Sequence, residues 1–282
     1  MTTTSRPIVV AFDGSQDATR ALHWAVDLAQ KRDQPLRVAV VALDPDSVAP
    51  GLREYEEDFA ASAQAVARDI VKHARLTSSE VEIHHGWILP VLREQCEDAD
   101  LMVVGSHGHG LLESQWLGSV SQHLAGHAPC AVAVVRKAHH PWSHQVLVGV
   151  DGSAASRRAL RFACEHAALT GQRVLAAYAY RYPRISTAGL AVLPEDLDVS
   201  AIDAAEATAA GFVAEVAAEF PGVELRSTAV IGRPGRVLAR LSDDSSLVVV
   251  GSRGHTTFEQ LLLGSVAQET LHRAECPVVV IR

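Results

Sequence analysis

Hydrophobic and polar positions follow two different periods along the chain, and this predicts alternating strands and helices. A run of apolar residues at 8–12 precedes a segment, 16–31, in which Ala18, Ala21 and Leu22 recur at helical spacing. The remaining elements of the first half are predicted as strands near 36–43, 81–85, 101–104 and 131–135 and helices near 54–75, 90–99 and 119–127. Continuously apolar strands indicate a sheet that is covered on both faces. The pattern therefore predicts an α/β fold with a parallel, doubly wound sheet.

The same series of elements occurs twice, which indicates an internal repeat. Three segments of the first half return in the second half: 8–15 at 146–153, 102–109 at 248–255, and 130–136 at 276–282. A repeat of this length is sufficient for a domain with its own core. We therefore predict two tandem domains and a linker, with the boundaries 1–137, 138–144 and 145–282.

Glycine-rich loops with one shared spacing follow the fourth strand of each repeat. Both read G-x-x-G, then nine residues, then a Gly-Ser pair that opens a helix: Gly105 to Ser119 in the first half and Gly251 to Ser265 in the second. A glycine after a buried strand lets a ligand approach the backbone closely. The first residues of a helix offer unpaired N–H groups and the positive end of its dipole to phosphate oxygens. The spacing therefore indicates a phosphate-binding site at the carboxyl ends of the strands in each repeat.

Purely structural interpretations of these residues stay open. The first glycine of each loop would then only permit a turn, and Ser119 and Ser265 would act as helix N-caps. Asp13 and Asp151, which follow the first strands, would be turn or N-cap carboxylates. This structural role is compatible with contact to a ligand. Neither a G-x-x-x-x-G-K-[ST] motif nor a G-x-G-x-x-G after the first strand is present, which argues against a P-loop or a Rossmann dinucleotide site.

Taken together, these motifs resemble the universal stress protein family in its tandem two-domain form. The resemblance covers essentially the whole chain and includes the closing strands at 131–135 and 278–281, each of which follows a cysteine. It implies a five-stranded parallel sheet in each domain, closing strands at the interdomain contact, and bound ATP with Mg²⁺ or Mn²⁺ as a compatible ion. The metal-binding residues stay unassigned.

The resemblance also implies which residues surround the nucleotide. In the first domain they are Ala11, Asp13, Ala42, Gly105, Ser106, His107, Gly108, His109, Gly110, Gly118, Ser119, Val120 and Ser121. In the second domain they are Gly149, Asp151, Ala179, Gly251, Ser252, Arg253, Gly254, Gly264, Ser265 and Val266. The second site departs from the first in Ala267, which replaces the Ser121 hydroxyl, in Arg253 in place of His107, and in a longer loop around 182–198. We therefore expect the two sites to differ in affinity.

Composition narrows the classes of function. The chain of 282 residues carries 25 Lys plus Arg against 33 Asp plus Glu, a net charge of -8, which argues against nucleic-acid binding through a basic face. Its apolar runs are shorter than the roughly 20 residues of a spanning helix, so we expect no membrane insertion. No signal peptide is visible, and we expect a cytoplasmic location. The four cysteines are expected to be buried thiols, and the histidine clusters lack zinc-ligand spacing.

The leading hypothesis is an ATP-binding regulatory or sensory protein of the stress response. Its adenine nucleotide would change its conformation or its contact with an unidentified protein partner, and a homodimer is compatible with this role. Two alternatives stay open, a slow ATPase or phosphoryl or nucleotidyl transferase, and a nucleotide-free interaction scaffold. No activating base beside Ser119 or Ser265 and no G-x-S-x-G elbow is visible, so no catalytic residue is assigned.

Overall fold

Strands and helices alternate from the strand Ile8–Ala11 to the strand Ala131–Val135 of the first repeat, as the hydrophobic pattern predicts. The structure, a computed structural model, describes residues 5–44, 47, 49–108, 117–136, 142–180, 186–187, 190–191, 199–254 and 263–282. The chain divides into two units, the first formed by Met1–Ala138 with Glu275–Arg282 and the second by His139–Ala274. Residues 138–141 of the predicted linker lie outside the described residues, so the boundaries given above stay a prediction.

The first unit follows the predicted order of elements closely. Its elements are β1 (Ile8–Ala11), α1 (Gln16–Arg32), β2 (Leu36–Ala42), α2 (Pro50–Lys72), β3 (Ser79–His85), α3 (Ile88–Gln95), β4 (Leu101–Gly105), α4 (Ser119–His127) and β5 (Ala131–Val135). The strands lie in the order β5-β4-β1-β2-β3 and are all parallel, as predicted. The chain leaves β1 toward β2 and β3 and later returns to β4 on the other side of β1. The switch point between β1 and β4 is where doubly wound sheets bind ligands.

The second unit repeats this arrangement over four parallel strands. Its elements are β6 (Gln145–Gly149), α5 (Ala154–Thr170), β7 (Arg173–Tyr180), β8 (Ser186–Thr187), β9 (Leu190–Ala191), α6 (Val199–Glu219), β10 (Leu225–Ile231), α7 (Pro234–Leu241), a 3-10 turn (Ser242–Asp244), β11 (Leu247–Gly251) and α8 (Ser265–Arg273). The order β10-β7-β6-β11 places the switch point between β6 and β11. The strands β8 and β9 form a separate antiparallel pair within the inserted loop.

The last strand of the chain lies in the first unit. It is β12 (Val278–Ile281), and it runs antiparallel to β5, with Val278 opposite Val134 and Val280 opposite Val132. The side chains of all four residues are buried. The two closing strands therefore meet, and β12 covers a sheet edge that would otherwise expose unpaired backbone groups.

Burial matches the apolar pattern of the central strands. In β1 and β4, Ile8, Val9 and Leu101 are fully buried, as expected for strands that are covered on both faces. All four cysteines are buried free thiols, as expected. Across the residues that the structure describes, no helix is long and apolar enough to cross a membrane.

Two helix starts of each repeat contrast in their N-caps. The helix α1 has a serine N-cap, because Ser15 Oγ accepts a hydrogen bond of 3.1 Å from the N–H of Ala18. The helix α4 has Gly118 as its N-cap, without a side-chain hydrogen bond, and Ser119 is its first helical residue. The second repeat has the same pair of starts, with Ser153 as the cap of α5 and with Gly264 and Ser265 at the start of α8. The interpretation of Ser119 and Ser265 as N-caps is therefore wrong.

The two N-caps predict different losses in the free energy of unfolding for two similar substitutions. Ser15→Ala should lower the free energy of unfolding by about 1 kcal/mol, because the N–H of Ala18 loses its acceptor. Ser119→Ala should be neutral to within about 0.5 kcal/mol, because Ser119 lies inside the helix and is exposed. Urea unfolding of both variants and the parent protein, followed by circular dichroism, measures the two differences. Equal losses in the two variants would contradict the assignment of the caps.

Candidate functional site

A cavity of about 570 Å³ lies at the carboxyl ends of the central strands of the first unit. Its position coincides with the switch point between β1 and β4. Ligand-binding cavities in proteins typically have volumes of about 300–1,000 Å³, so this one has room for a small organic molecule.

The two sides of this cavity differ in chemistry. On the side of β2 and α3, the wall is apolar and consists of Ala39, Val41, Ile88 and Leu92. On the side of β4 and α4, the wall consists of the glycine loop and the first turn of the helix, including Ser119. One side can therefore pack against a flat apolar group, and the other side presents backbone polar groups.

The first turn of α4 supplies hydrogen-bond donors to the cavity. The first N–H to bond within this helix is that of Gln122, which donates to the carbonyl of Gly118 at 3.0 Å. The N–H groups of Ser119, Val120 and Ser121 precede it and have no acceptor within the helix. Since the glycine cap has no side chain, these groups and the positive end of the helix dipole are available to an anion in the cavity.

The loop is held against the helix by two short contacts. The N–H of Gly118 donates to the carbonyl of Ser106 at 2.8 Å. The hydroxyl of Ser121 is buried and donates to the carbonyl of Gly105 at 2.6 Å. Ser121 therefore lines the cavity, but its proton is already used to join α4 to the end of β4.

Asp17, in the first turn of α1, is a site residue that sequence reasoning missed. Its carboxylate accepts hydrogen bonds from the hydroxyl of Ser106 and from the backbone N–H of His107, the latter at 3.1 Å. The same Oδ2 atom lies 3.4 Å from Nδ1 of the His107 imidazole, and Arg20 forms an ion pair with the other oxygen. One carboxylate thus fixes the start of the glycine loop.

The close approach of α1 to β4 makes this contact possible. A Cβ atom on Gly105 would stand only 2.7 Å from the backbone carbonyl carbon of Asp17, so a side chain there would push the helix away. Burial by itself raises the pKa of the Asp17 carboxyl. The hydrogen bond from Ser106, the charge of Arg20 and the contact with His107 outweigh burial, and the pKa lies below its ordinary value. Asp17 is therefore ionised at neutral pH.

The sequence signal that could have identified Asp17 is the difference between the two repeats at this position. The same position in the second repeat is Ala155, whose Cβ lies against Gly251. The carboxylate contact to the loop is therefore a property of the first unit, where it orients His107 at the cavity wall.

Asp13 is a turn carboxylate at the edge of the cavity, and its contact with a ligand stays a prediction. Its Oδ1 accepts a hydrogen bond of 2.9 Å from the N–H of Ser15, which makes it a turn carboxylate, and its side chain also lines the cavity. Gly14 between them has φ 83°, a conformation that favours glycine. The second repeat has the same turn, with Asp151, Gly152 at φ 82° and Ser153.

Most of the predicted residues of the first site lie together. Those that line the cavity are Ala11, Asp13, Gly105, His107, Gly108, Gly118, Ser119, Val120 and Ser121. Ser106 is buried beneath the loop, where it bonds Asp17 instead. Val41 lines the cavity instead of the predicted Ala42, because neighbouring strand residues face opposite sides of a sheet. His109 and Gly110 lie outside the described residues.

The second unit has a smaller cavity, of about 210 Å³, at the matching switch point. The predicted residues that line it are Gly149, Asp151, Ala179, Gly251, Arg253, Gly254, Gly264, Ser265 and Val266. Ser252 is buried like Ser106. Ala267 is fully buried and, as the sequence shows, supplies no hydroxyl. The inserted loop around 182–198 lies mostly outside the described residues.

The protein side chains alone do not define a metal site in either unit. Among the described residues there is no group of three His, Cys, Asp or Glu side chains that could hold a metal ion. A divalent ion at either cavity would therefore depend on ligand oxygens and water for most of its coordination.

Comparisons with known proteins agree on one family. The family model described as "Universal stress protein family" matches residues 4–136 and 143–282. The chain is 34% identical over 290 residues to Universal stress protein Rv2005c of Mycobacterium tuberculosis, with 98% of this chain and 96% of the relative covered. It is 32% identical over 299 residues to Universal stress protein Rv2623 of the same organism, with the same coverage.

Two solved structures show a similar fold over nearly the full length. A universal stress protein from Archaeoglobus fulgidus DSM 4304 superposes with a TM-score of 0.72 at 19% identity, covering 98% of this chain and 96% of that one. A structure described as a putative universal stress protein from Pseudomonas aeruginosa UCBPP-PA14 gives a TM-score of 0.69 at 19% identity, with 98% and 93% covered. At this identity the likeness concerns the fold alone.

The contacts of Asp17 predict a pH-dependent loss of stability. At pH 7, Asp17→Asn should lower the free energy of unfolding by about 1–3 kcal/mol, because hydrogen bonds to a charged group are lost. The pKa of Asp17 is lowered in the folded protein, so its contribution is complete above the unfolded pKa of about 4 and is lost as the pH falls through the folded pKa. The difference between variant and parent should therefore shrink from pH 7 to pH 3, as measured by urea unfolding.

A matched control is Asp27→Asn, which removes an exposed carboxylate of the same helix that pairs with Lys31. It should change stability by less than about 0.5 kcal/mol at either pH. An Asp17→Asn loss that is the same at both pH values would show that the charge of Asp17 does not stabilise the loop.

Proposed function

The chain belongs to the universal stress protein family, and on that premise we propose that it is a nucleotide-binding regulatory protein whose ligand is ATP. The first cavity is the principal site in this proposal. Its apolar side, formed by β2 and α3, receives the adenine ring, and its glycine loop with the start of α4 receives the phosphates.

The observation that carries the proposal is the glycine-capped start of α4. In the same unit the N-cap Ser15 of α1 accepts a hydrogen bond from the N–H of Ala18, whereas α4 has no side-chain cap and its first turn lines the cavity. Backbone N–H groups and a helix dipole bind phosphate oxygens without a lysine. This arrangement suits a polyphosphate in a protein whose net charge is -8.

The residues of the cavity fit an adenine nucleotide by their chemistry. Val41, Ile88 and Leu92 offer apolar surface to a planar base, while Gly105 and Gly108 place backbone next to the cavity without side chains in the way. The half-buried imidazole of His107 adds a polar group beside the phosphate end. The phosphates of the nucleotide would supply the oxygen ligands for Mg²⁺ or Mn²⁺.

Regulation follows if the nucleotide favours one conformation over another. A ligand in this cavity would contact α3 on one side and α4 on the other, and so would connect elements from both sides of the switch point. A conformation in which the two sides are correctly spaced would bind ATP more tightly and would become more populated. We propose that a protein partner, still to be identified, distinguishes these conformations.

Slow hydrolysis of ATP is the second candidate function, and the pair of Asp17 and His107 favours it. A histidine that lines a phosphate-binding cavity and is oriented by a carboxylate has the arrangement of a general base. If phosphate release is observed, His107 is the candidate general base.

Nucleotide content tests the leading proposal directly. Freshly purified protein is denatured, and the released small molecules are identified and counted by chromatography with mass detection. We expect ATP. Absence of nucleotide, followed by absence of binding when the protein is titrated with ATP and Mg²⁺ or Mn²⁺, would reject the proposal and favour a nucleotide-free scaffold.

A substitution at the start of α4 locates the site. Ser119 is exposed and is the first residue of the helix, so Ser119→Glu should leave the helix stable, since carboxylates are favourable there. The added charge should weaken ATP binding to the first cavity by about 10- to 100-fold through repulsion of the phosphates. Calorimetric titration measures the affinity, and Ser62→Glu, on the exposed face of α2, is the control for the added charge. Equal affinities in both variants would place the nucleotide elsewhere.

Phosphate release separates binding from hydrolysis. With saturating ATP, release above that of a Gly118→Ala, Gly264→Ala double variant would support the second candidate. Asp17→Asn should then reduce the rate about 10-fold or more while the affinity for ATP changes less, because a less well oriented base affects the reaction more than binding. A flat trace in the parent protein would end the enzyme proposal and leave regulatory binding.

A further inference from the structure

We propose that the two homologous cavities are not equivalent and that Leu238 closes the second one to a whole nucleotide. Each chain then binds one nucleotide, in its first unit, and the position that Leu238 takes beside Gly149 decides this difference. The inference rests on the proposed function, because it states which of the two sites that function uses.

The backbone at the glycine-loop ends of the two cavities is built alike. The N–H of Gly264 donates to the carbonyl of Ser252 at 2.7 Å, as Gly118 does to Ser106 at 2.8 Å. Ser265, like Ser119, is the first residue of a helix with a glycine cap. The volumes nevertheless differ, about 210 Å³ against about 570 Å³, and the smaller value lies below the usual range of ligand cavities of about 300–1,000 Å³. The opposite wall differs between the two units in a way that accounts for a smaller cavity.

One missing methyl group changes that wall. The first strand ends with Ala11 in the first repeat and with Gly149 in the second. A Cβ atom on Gly149 would lie 2.8 Å from Cδ1 of Leu238, so the leucine occupies space that a methyl group would otherwise exclude. Leu238 is 2% exposed and lines the cavity. Its equivalent in the first repeat, Leu92, lines the larger cavity together with Ala11.

A second glycine brings the helix of that wall closer. Gly235 in α7 stands where the first repeat has Leu89, and a Cβ atom on it would lie 2.5 Å from Cβ of Glu269 in α8. Arg236 adds an ion pair to Glu269 at 3.5 Å. The helices α7 and α8 are the two helical walls of the second cavity, so their close contact narrows it and holds Leu238 in place.

The two glycines act on the part of the cavity that a nucleoside needs. In the first unit, α3 and β2 leave room between Leu92, Val41 and the end of β1. In the second unit, Leu238 lies against Gly149 in the matching place. The smaller Ala179, which replaces Val41 in that wall, does not restore the volume. The base and ribose of a nucleotide are therefore excluded from the second cavity while its phosphate-binding loop remains intact.

The number of bound nucleotides tests this inference. Calorimetric titration of the full chain with ATP and Mg²⁺, checked by native mass spectrometry, should give one equivalent. Ser119→Glu should remove it, and Ser265→Glu should leave it in place. Two equivalents in the parent protein, or loss of binding in Ser265→Glu alone, would overturn the inference. No binding at all would instead reject the proposed function, so the two failures are distinguishable.

A variant that opens the second cavity should gain a second equivalent of bound nucleotide. Leu238→Ala should raise the count from one equivalent to two, and Ser265→Glu added to it should return the count to one. Leu160→Ala, a truncation of a fully buried leucine in α5 of the same unit, is the control and should leave one equivalent.

A milder variant tests the same inference if Leu238→Ala does not fold. Gly149→Ala copies Ala11 of the first repeat, and its methyl group must displace Cδ1 of Leu238 from its position 2.8 Å away. Circular dichroism and thermal unfolding establish which variants are folded. A folded Leu238→Ala or Gly149→Ala protein that still binds one equivalent would show that Leu238 does not close the second cavity.

Discussion

The candidate site of this protein depends on a helix that begins without a side-chain cap. A glycine at the N-cap of α4 leaves three N–H groups without an acceptor in the helix, and the fold directs them into a cavity. In the same unit, α1 has Ser15 as its N-cap, and the Ser15 Oγ accepts a hydrogen bond from the N–H of Ala18. The helices α1 and α4 thus differ in their N-caps, a serine that accepts a first-turn hydrogen bond and a glycine that leaves the first turn open to the cavity. The cavity and the loop contacts are arranged around that open helix start.

The parallel sheet gives this helix start its partners. Because β4 lies on one side of β1 and β2 on the other, the loops after these strands diverge and leave a crevice between them. Gly105 lets α1 approach the end of β4, and this brings Asp17 into contact with the loop that leads to α4. The cavity wall and the contacts of the glycine loop are therefore formed by residues that are distant in sequence. They lie on a sheet whose β5 edge is covered by β12.

The two repeats show how a duplicated site can diverge without any change in its motif. Both retain the glycine spacing, the turn carboxylate and the glycine-capped helix. They differ in residues around the motif, with Asp17 against Ala155 at the loop and Ala11 against Gly149 at the wall. A small side chain at a helix contact alters the distance between elements, because protein interiors are closely packed and a vacated volume is filled by its neighbours. Cavity size is therefore sensitive to positions that carry no ligand-binding group.

The sequence by itself determined the α/β class, the order of the strands and helices in the first repeat, the duplication, and the candidate phosphate loops. These follow from local periodicity and from repeated spacing, which are properties of neighbouring residues. The tertiary structure decided that Gly118 rather than Ser119 caps α4, that Val41 rather than Ala42 lines the cavity, and that Ser106 bonds Asp17. It also decided the pairing of β12 with β5 and the unequal volumes of the two cavities. These outcomes depend on the packing of segments that are far apart in the chain, and a local pattern does not encode such distances.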